Sequence, residues 1–278
     1  MRPRRDQGQT LLRAEGTVRT VMRARHLERR TTMASDRFQW PEGRRAAVSL
    51  SFDDARLSQI DRGMALFDKH GVRATFYVSP GGVTARLEGW KRAVAAGHEI
   101  GNHTVLHPCS GNFKWSRERA LEDYSLERME RELLEANRFI EETLGVTPAT
   151  FAYPCGQAYV GRGRGTASYV PLIARHFLVG RSAGNEIHND PAFCDLAQAA
   201  SLGSDGRSFE QLRAMVDRAA ADGGWLILCG HEIGDGGFQV TQVPALEALC
   251  RYCKDPANGI WVDTVEAIGR YVAGRQNP

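Results

Sequence analysis

From Trp40 onward the chain repeats one unit: a segment with apolar residues three and four apart, a glycine, then a short β-branched and aromatic run. Met64, Leu66 and Phe67 lead through Gly71 to Ala74-Thr75-Phe76-Tyr77-Val78, and Ala93 and Val94 lead through Gly97 to Glu99-Ile100. A long helix is predicted from about Ser116, with Leu126, Met129, Leu133, Ile140 and Leu144 on one face, a stop at Gly145 and Pro148 beyond. Further strands are predicted at Ala47 to Phe52, Ala149 to Ala152, Phe177-Leu178-Val179, Trp225 to Cys229 after Gly223-Gly224, and Ile260-Trp261-Val262. Strands alternating with helices predict an α/β protein with a parallel sheet. With about seven or eight strands, closure into a barrel is the simplest way to leave no edge.

The 278 residues suffice for one such barrel. Charge divides the chain. Residues 1–37 hold ten Arg and four acidic residues, a net +6 that leaves the remainder at −3, so the body offers no basic face for nucleic acid. The first 37 residues show no sustained period and read as a disordered Arg-rich extension, or as the product of an early start with Met33 the true beginning. Leu11, Leu12, Val18, Val21 and Met22 could otherwise form a basic amphipathic helix. Residues 38–278 form the expected catalytic domain. No apolar run approaches a membrane span, and Arg13, Arg19, Arg23 and Arg25 interrupt every candidate signal-peptide core. The six cysteines, at 109, 155, 194, 229, 250 and 253, are too sparse for a secreted disulfide scaffold and read as reduced thiols. A cytoplasmic location is therefore expected, without membrane or nucleic-acid partners. The oligomeric state is left open.

In such folds reactive groups sit at the carboxyl ends of the strands. The first strand ends in Ser51-Phe52-Asp53-Asp54, the third in Gly101-Asn102-His103, and the one at Trp225 in Gly230-His231-Glu232. His103 and His107, four residues apart, can present two imidazoles to one side, and Asp54 can supply a third ligand. Two neutral nitrogens and one carboxylate suit a divalent ion such as Zn²⁺, whose bound water ionises near pH ~7. Adjacent strand-end carboxylates point in different directions, so Asp54 can hold metal while Asp53 accepts water's proton. His231 can protonate a leaving group. Each feature alone is commonplace; their convergence on one rim points to a metal-dependent hydrolase.

Ser51-Phe52-Asp53-Asp54, His103-Thr104-Val105-Leu106-His107-Pro108, Phe151-Ala152-Tyr153-Pro154-Cys155-Gly156 and Leu228-Cys229-Gly230-His231 resemble the successive motifs of the polysaccharide deacetylases, the chitooligosaccharide deacetylase-like carbohydrate esterases. The resemblance spans about residues 44–272. It implies a distorted (β/α) barrel and metal-assisted removal of acetyl groups from N- or O-acetylated carbohydrates. Carried over by position, it makes Asp53 the base, Asp54, His103 and His107 the ligands, and His231 the acid. The backbone N–H of Cys155 then faces the oxyanion, with Tyr153, Pro154 and Gly156 around it.

One position departs from the family pattern. An Arg that pairs with the base is replaced by Ala152, and Arg162 or Arg164, in a glycine-flanked loop, is the expected substitute. The departure keeps two alternatives open: a hydrolase of another C–N bond in a small cyclic amide, and a sugar-binding relative without turnover. Trp225 is expected in the core, Tyr159 and Phe113 are expected to touch substrate, and Trp90 and Trp115 fit either role. Cys109, Cys155 and Cys229 are expected as small packing residues near the site, and Cys250 and Cys253 as helix packing. Asp195 or Asp190 could orient His231.

Overall fold

The structure, a computed structural model, describes residues 38–276, so the Arg-rich extension and its amphipathic-helix alternative lie outside the described residues. From Trp40 onward the described residues form one compact unit. Among the described residues no helix is long and apolar enough to cross a membrane. The strands are β1 Ala46–Asp53, β2 Thr75–Val78, β3 Glu99–Asn102, β4 Thr150–Ala152, β5 Tyr159–Val160, β6 Ala167–Ser168, β7 Val179–Arg181, β8 Leu202–Gly203, β9 Trp225–Gly230, β10 Glu232–Gly234, β11 Val240–Gln242 and β12 Ile260–Val262.

Seven of these form one parallel sheet in the order β7-β4-β3-β2-β1-β9-β8, and β12 adds an eighth strand against the start of β1. β12 pairs with Ala46 to Val48 and β2 with Ser51 to Asp53, so both share one edge of β1. A parallel bridge from Arg181, at the end of β7, to Ala199, just ahead of β8, brings the two ends of the sheet together. The expected distorted (β/α) barrel is therefore present. Its irregularity comes from β8, which is two residues long and follows no apolar run.

All eight positions of β1 are buried because both of its faces are covered. Strand alternation separates them by chemistry. Val48, Leu50 and Phe52 join the apolar core beneath the helices, whereas Ala47, Ser49, Ser51 and Asp53 turn into the barrel. The interior is consequently polar. The Trp225 indole, buried as expected, donates to Ser49 Oγ at 3.1 Å, and the Ser51 hydroxyl donates to the Leu228 carbonyl at 2.7 Å. Further up, Thr75 and Thr150 donate to the carboxyl of Glu99. Gly101 makes room there, since a Cβ would lie 2.5 Å from the Tyr77 ring. Tyr77, Arg181 and Asp53 form the top of this polar column.

The long helix runs over Leu126–Leu144 and not from Ser116, because Ser125 caps it by accepting from the Arg128 N–H. Short 3₁₀ turns occupy Lys114–Arg119 and Leu121–Asp123 instead. Gly145 ends the helix at φ 72°, as expected. The strand expected at Phe177 to Val179 begins at Val179, because the Phe177 N–H still closes the preceding helix on Ile173. That two-residue shift determines which side chain reaches the rim.

Candidate functional site

Asp53 ends β1, His103 follows β3 and His231 follows β9, so the barrel brings their side chains to one rim. Asp54 and Ala55 adopt φ of 72° and 51°, a left-handed turn that redirects the chain as it leaves β1. Arg56 holds Asp54 Oδ2 at 3.0 Å, and Oδ1 faces His103 Nε2 at 3.6 Å and His107 Nε2 at 3.4 Å. One donor atom from each of Asp54, His103 and His107 falls within 4.8 Å of the others, a set that can hold a metal ion. The tautomer of His103 fits that role. Its Nδ1 lies 2.8 Å from the Ala152 carbonyl, so that nitrogen carries the proton and Nε2 presents its lone pair.

The two histidines meet through a turn and not through a helix. Thr104 and His107 have φ of 64° and 50°, and the ring centroids lie 4.7 Å apart. The turn is fastened to the long helix: buried Glu132 accepts the N–H groups of Val105 and Leu106, both at 3.1 Å, and Asn102 donates to the Leu133 carbonyl at 2.9 Å. Burial and the neighbouring His103 push the His107 pKa down to about 4, leaving a neutral ligand at pH 7.

Asp53 lies beside this set, with Oδ2 3.9 Å from His103 Nε2. Its partner is Arg181, a residue the sequence reading missed. Arg181 ends β7, is fully buried, and donates through Nη2 to Asp53 Oδ1 and through Nη1 to Cys229 Sγ at 3.2 Å. Its guanidinium lies 5.0 Å from the Tyr77 ring centroid. β7 is in register with β4 so that Arg181 stands opposite Ala152, the position where the sequence reading looked for an arginine. The charge has moved one strand sideways. Burial alone would raise the Asp53 pKa, but Arg181, His103 and His231 more than offset it and bring the carboxyl down to about 2.

The expectation for Arg162 and Arg164 is corrected accordingly. Both are exposed, and Arg162 pairs with Asp123 at 2.9 Å; a solvated guanidinium finds a surface carboxylate without the cost of burial. His231 is likewise held by neither Asp195 nor Asp190, whose side chains cap local turns at Ala197 and Ala192. Its partner is Asp205, which follows β8. Asp205 Oδ2 is 2.6 Å from His231 Nδ1, and Oδ1 accepts the His231 N–H at 3.2 Å and the Thr241 hydroxyl at 2.8 Å. Burial lowers the His231 pKa, but Asp205 and the nearby Asp53 raise it above the ordinary value. Gln59 ties the two catalytic candidates together, donating to the carbonyls of Asp53 at 2.6 Å and His231 at 2.9 Å.

Cys109 and Cys155 are not reduced thiols but form a disulfide across 46 residues. It joins the loop after His107 to the turn after β4, a proximity that spacing alone cannot reveal. Cys194, Cys229, Cys250 and Cys253 are free, and Cys250 and Cys253 pack in the helical core as expected. The cytoplasmic expectation rested partly on the reduced state of all six. Cys155 is exposed at φ 54°, and Gly156 follows at φ 68°, where a Cβ would meet the Ala183 carbonyl at 2.8 Å. Pro154 and Tyr153 are buried, and the Tyr153 hydroxyl donates to the Ala197 carbonyl at 2.7 Å.

Of the aromatic candidates, Trp90 and Trp225 are core. Phe113 and Trp115 are exposed, with the Trp115 ring 5.8 Å from that of His107 and 5.5 Å from that of Phe113. Tyr159 borders a cavity of about 490 Å³ shared with Ser110, Glu122, Gln157, Ser182 and Asn185.

Residues 41–164 match the family model for polysaccharide deacetylase. That stretch carries Asp53, Asp54, His103, His107 and Cys155; Arg181 and His231 lie beyond it. The chain is 31% identical over 97 residues to YlxY, an uncharacterized protein of Bacillus subtilis, a match covering 35% of this chain and 27% of that one. It is 26% identical over 110 residues to the peptidoglycan-N-acetylglucosamine deacetylase PgdA of Listeria monocytogenes, covering 39% and 21%. The chain thus spans about a quarter of the length of these curated relatives. Its fold is that of a crystal structure from Mycobacterium smegmatis described as a polysaccharide deacetylase, with a TM-score of 0.64 at 17% identity over 86% of this chain and 94% of that one. The family resemblance is borne out over residues 41–164, which hold the first three of the four motifs.

Proposed function

From this kinship with the polysaccharide deacetylases, we propose that the chain is a metal-dependent hydrolase that removes acetyl groups from N- or O-acetylated carbohydrates. One observation carries the reading: a two-imidazole, one-carboxylate donor set shares a rim with a buried, ionised aspartate and an aspartate-held histidine. Asp54, His103 and His107 would hold the ion, Zn²⁺ in this reading. When bound, such an ion polarises an acyl oxygen and brings the pKa of water toward neutrality.

The remaining work falls to the chain's own groups. Asp53, ionised at any working pH, accepts the proton that the attacking water loses. Arg181 fixes that carboxylate and keeps it charged. Asp205 and Asp53 more than offset burial and raise the His231 pKa, which favours the protonated imidazole that donates to the departing amine or alcohol. Asp205 orients it. The Cys155 N–H stabilises charge developing on the acyl oxygen, with Gly156 keeping the turn open. Exposed Phe113, Trp115 and Tyr159 offer ring faces to a sugar. With Arg181 beside Asp53, Ala152 no longer weighs toward a small cyclic amide or an inactive relative.

The test is acetate release from N-acetylglucosamine oligomers and acetylated xylan by metal-stripped protein, with and without added Zn²⁺. Acetate that needs the metal and disappears in Asp53→Asn supports the reading. Metal-independent acetate, or none from any substrate, opposes it.

A further inference from the structure

The proposed ligand set uses Nε2 of His107, and the opposite nitrogen of the same ring faces sulfur. Nδ1 lies 3.7 Å from Cys109 Sγ, and Cys109 is bridged to Cys155. One donor atom from each of His107, Cys109 and Cys155 lies within 4.8 Å of the others. Cys109 is buried and Cys155 is exposed, so a reductant can reach the bridge from the Cys155 side. We propose that reduction of the Cys109–Cys155 disulfide creates a second metal site, His107–Cys109–Cys155, which takes a soft divalent ion and withdraws His107 from Asp54 and His103.

The geometry suits that ion. Zinc bonds of about 2.0 Å to nitrogen and 2.3 Å to sulfur at a tetrahedral angle put the two donors about 3.5 Å apart, near the 3.7 Å between His107 Nδ1 and Cys109 Sγ. Two thiolates and an imidazole select Zn²⁺ or Cd²⁺ over hard cations. The disulfide withholds these sulfurs until it is opened. A trialkylphosphine attacks one sulfur and breaks the S–S bond; with one water the products are two thiols and the phosphine oxide, two electrons passing from phosphorus to sulfur. Each thiol then releases its proton to solvent as its sulfur binds the ion. A neutral imidazole has one lone pair to give, so an ion held through Nδ1 excludes one held through Nε2. The site is thus a redox-gated competitor of the first.

The full-length chain, stripped of metal, is prepared oxidised and after anaerobic phosphine reduction, then titrated with Cd²⁺. Thiolate-to-cadmium charge-transfer absorbance and cadmium retained on dialysis are followed together. The reduced protein should develop the band and saturate at one equivalent, and the oxidised protein should not. Cys109→Ser and Cys155→Ser should each abolish the band, which separates this site from the buried pair Cys250 and Cys253. His107→Ala should weaken cadmium binding about tenfold or more. A reduced protein without the band, a band that survives Cys155→Ser, or unchanged affinity in His107→Ala would overturn the proposal. The comparison of oxidised with reduced wild type needs no variant to fold. Because the readout is binding and not turnover, its outcome is independent of deacetylation.

Discussion

Replacing Arg181 with Met removes the only buried guanidinium beside Asp53 among the described residues while keeping an unbranched side chain of similar length. The Asp53 carboxyl drops from 3.8 to about 2 in the folded protein, which corresponds to linked stability on the order of 2 kcal/mol. A depressed carboxylate stabilises the fold above its unfolded pKa and loses that contribution as pH falls through the folded one. That window is therefore about pH 4 down to about 2. Without Arg181, burial becomes the dominant influence and pushes the Asp53 pKa up. The variant should lose about 3–5 kcal/mol in urea denaturation at pH 7, since breaking a buried pair strands the remaining charge. The acid limb of any pH–rate profile should move to higher pH. Adding Ala152→Arg to Arg181→Ala, which returns the guanidinium to the facing position on β4, should recover part of both losses. A loss below about 1 kcal/mol with an unmoved acid limb would refute the ion-pair argument.

Three other outcomes follow from the same geometry. Asp205→Asn removes the carboxylate that raises the His231 pKa, so the alkaline limb of the pH–rate profile should shift to lower pH, with circular dichroism unchanged. Glu132→Ala leaves the Val105 and Leu106 N–H groups without their acceptor and should weaken zinc binding about 10-fold by isothermal titration, through loosening of the turn before His107. Glu99, raised by burial from 4.5 to about 7 despite donors from Thr75, Thr150 and the Glu266 N–H, stabilises the fold below pH 4.5 and loses that contribution as pH rises through 7. Thermal melts of Glu99→Gln should lack that decline.

Much of the barrel could be read directly because its strands are short apolar runs that follow glycine-stopped helices, and the ends of β1, β3 and β9 announce Asp53, His103 and His231. What the pattern concealed was lateral. Arg181 stands two residues beyond Val179, at a strand end the same rule covers, but a strand predicted over Phe177 to Val179 stops short of it, and the expected substitute for the arginine lay in the glycine-flanked loop at Arg162 and Arg164. Asp205 follows a two-residue strand with no apolar run to mark it. The Cys109–Cys155 bridge depends on β3 and β4 being neighbours, which places the loops that follow them side by side. Arg162 and Arg164 misled because glycine-flanked arginines suggest inward reach, whereas a barrel interior admits charge only from strand positions that face it.

The central claim is that one metal ion at Asp54, His103 and His107 is required for acetyl hydrolysis. It is tested most directly by titrating the metal-stripped, disulfide-intact protein with Zn²⁺ while measuring acetate release from an N-acetylglucosamine oligomer. The account predicts activity that rises linearly to one equivalent per chain and then stops, and that stays at baseline in His103→Ala at every zinc concentration. Full activity in excess chelator, or a His103→Ala variant that responds to zinc as the wild type does, would contradict it.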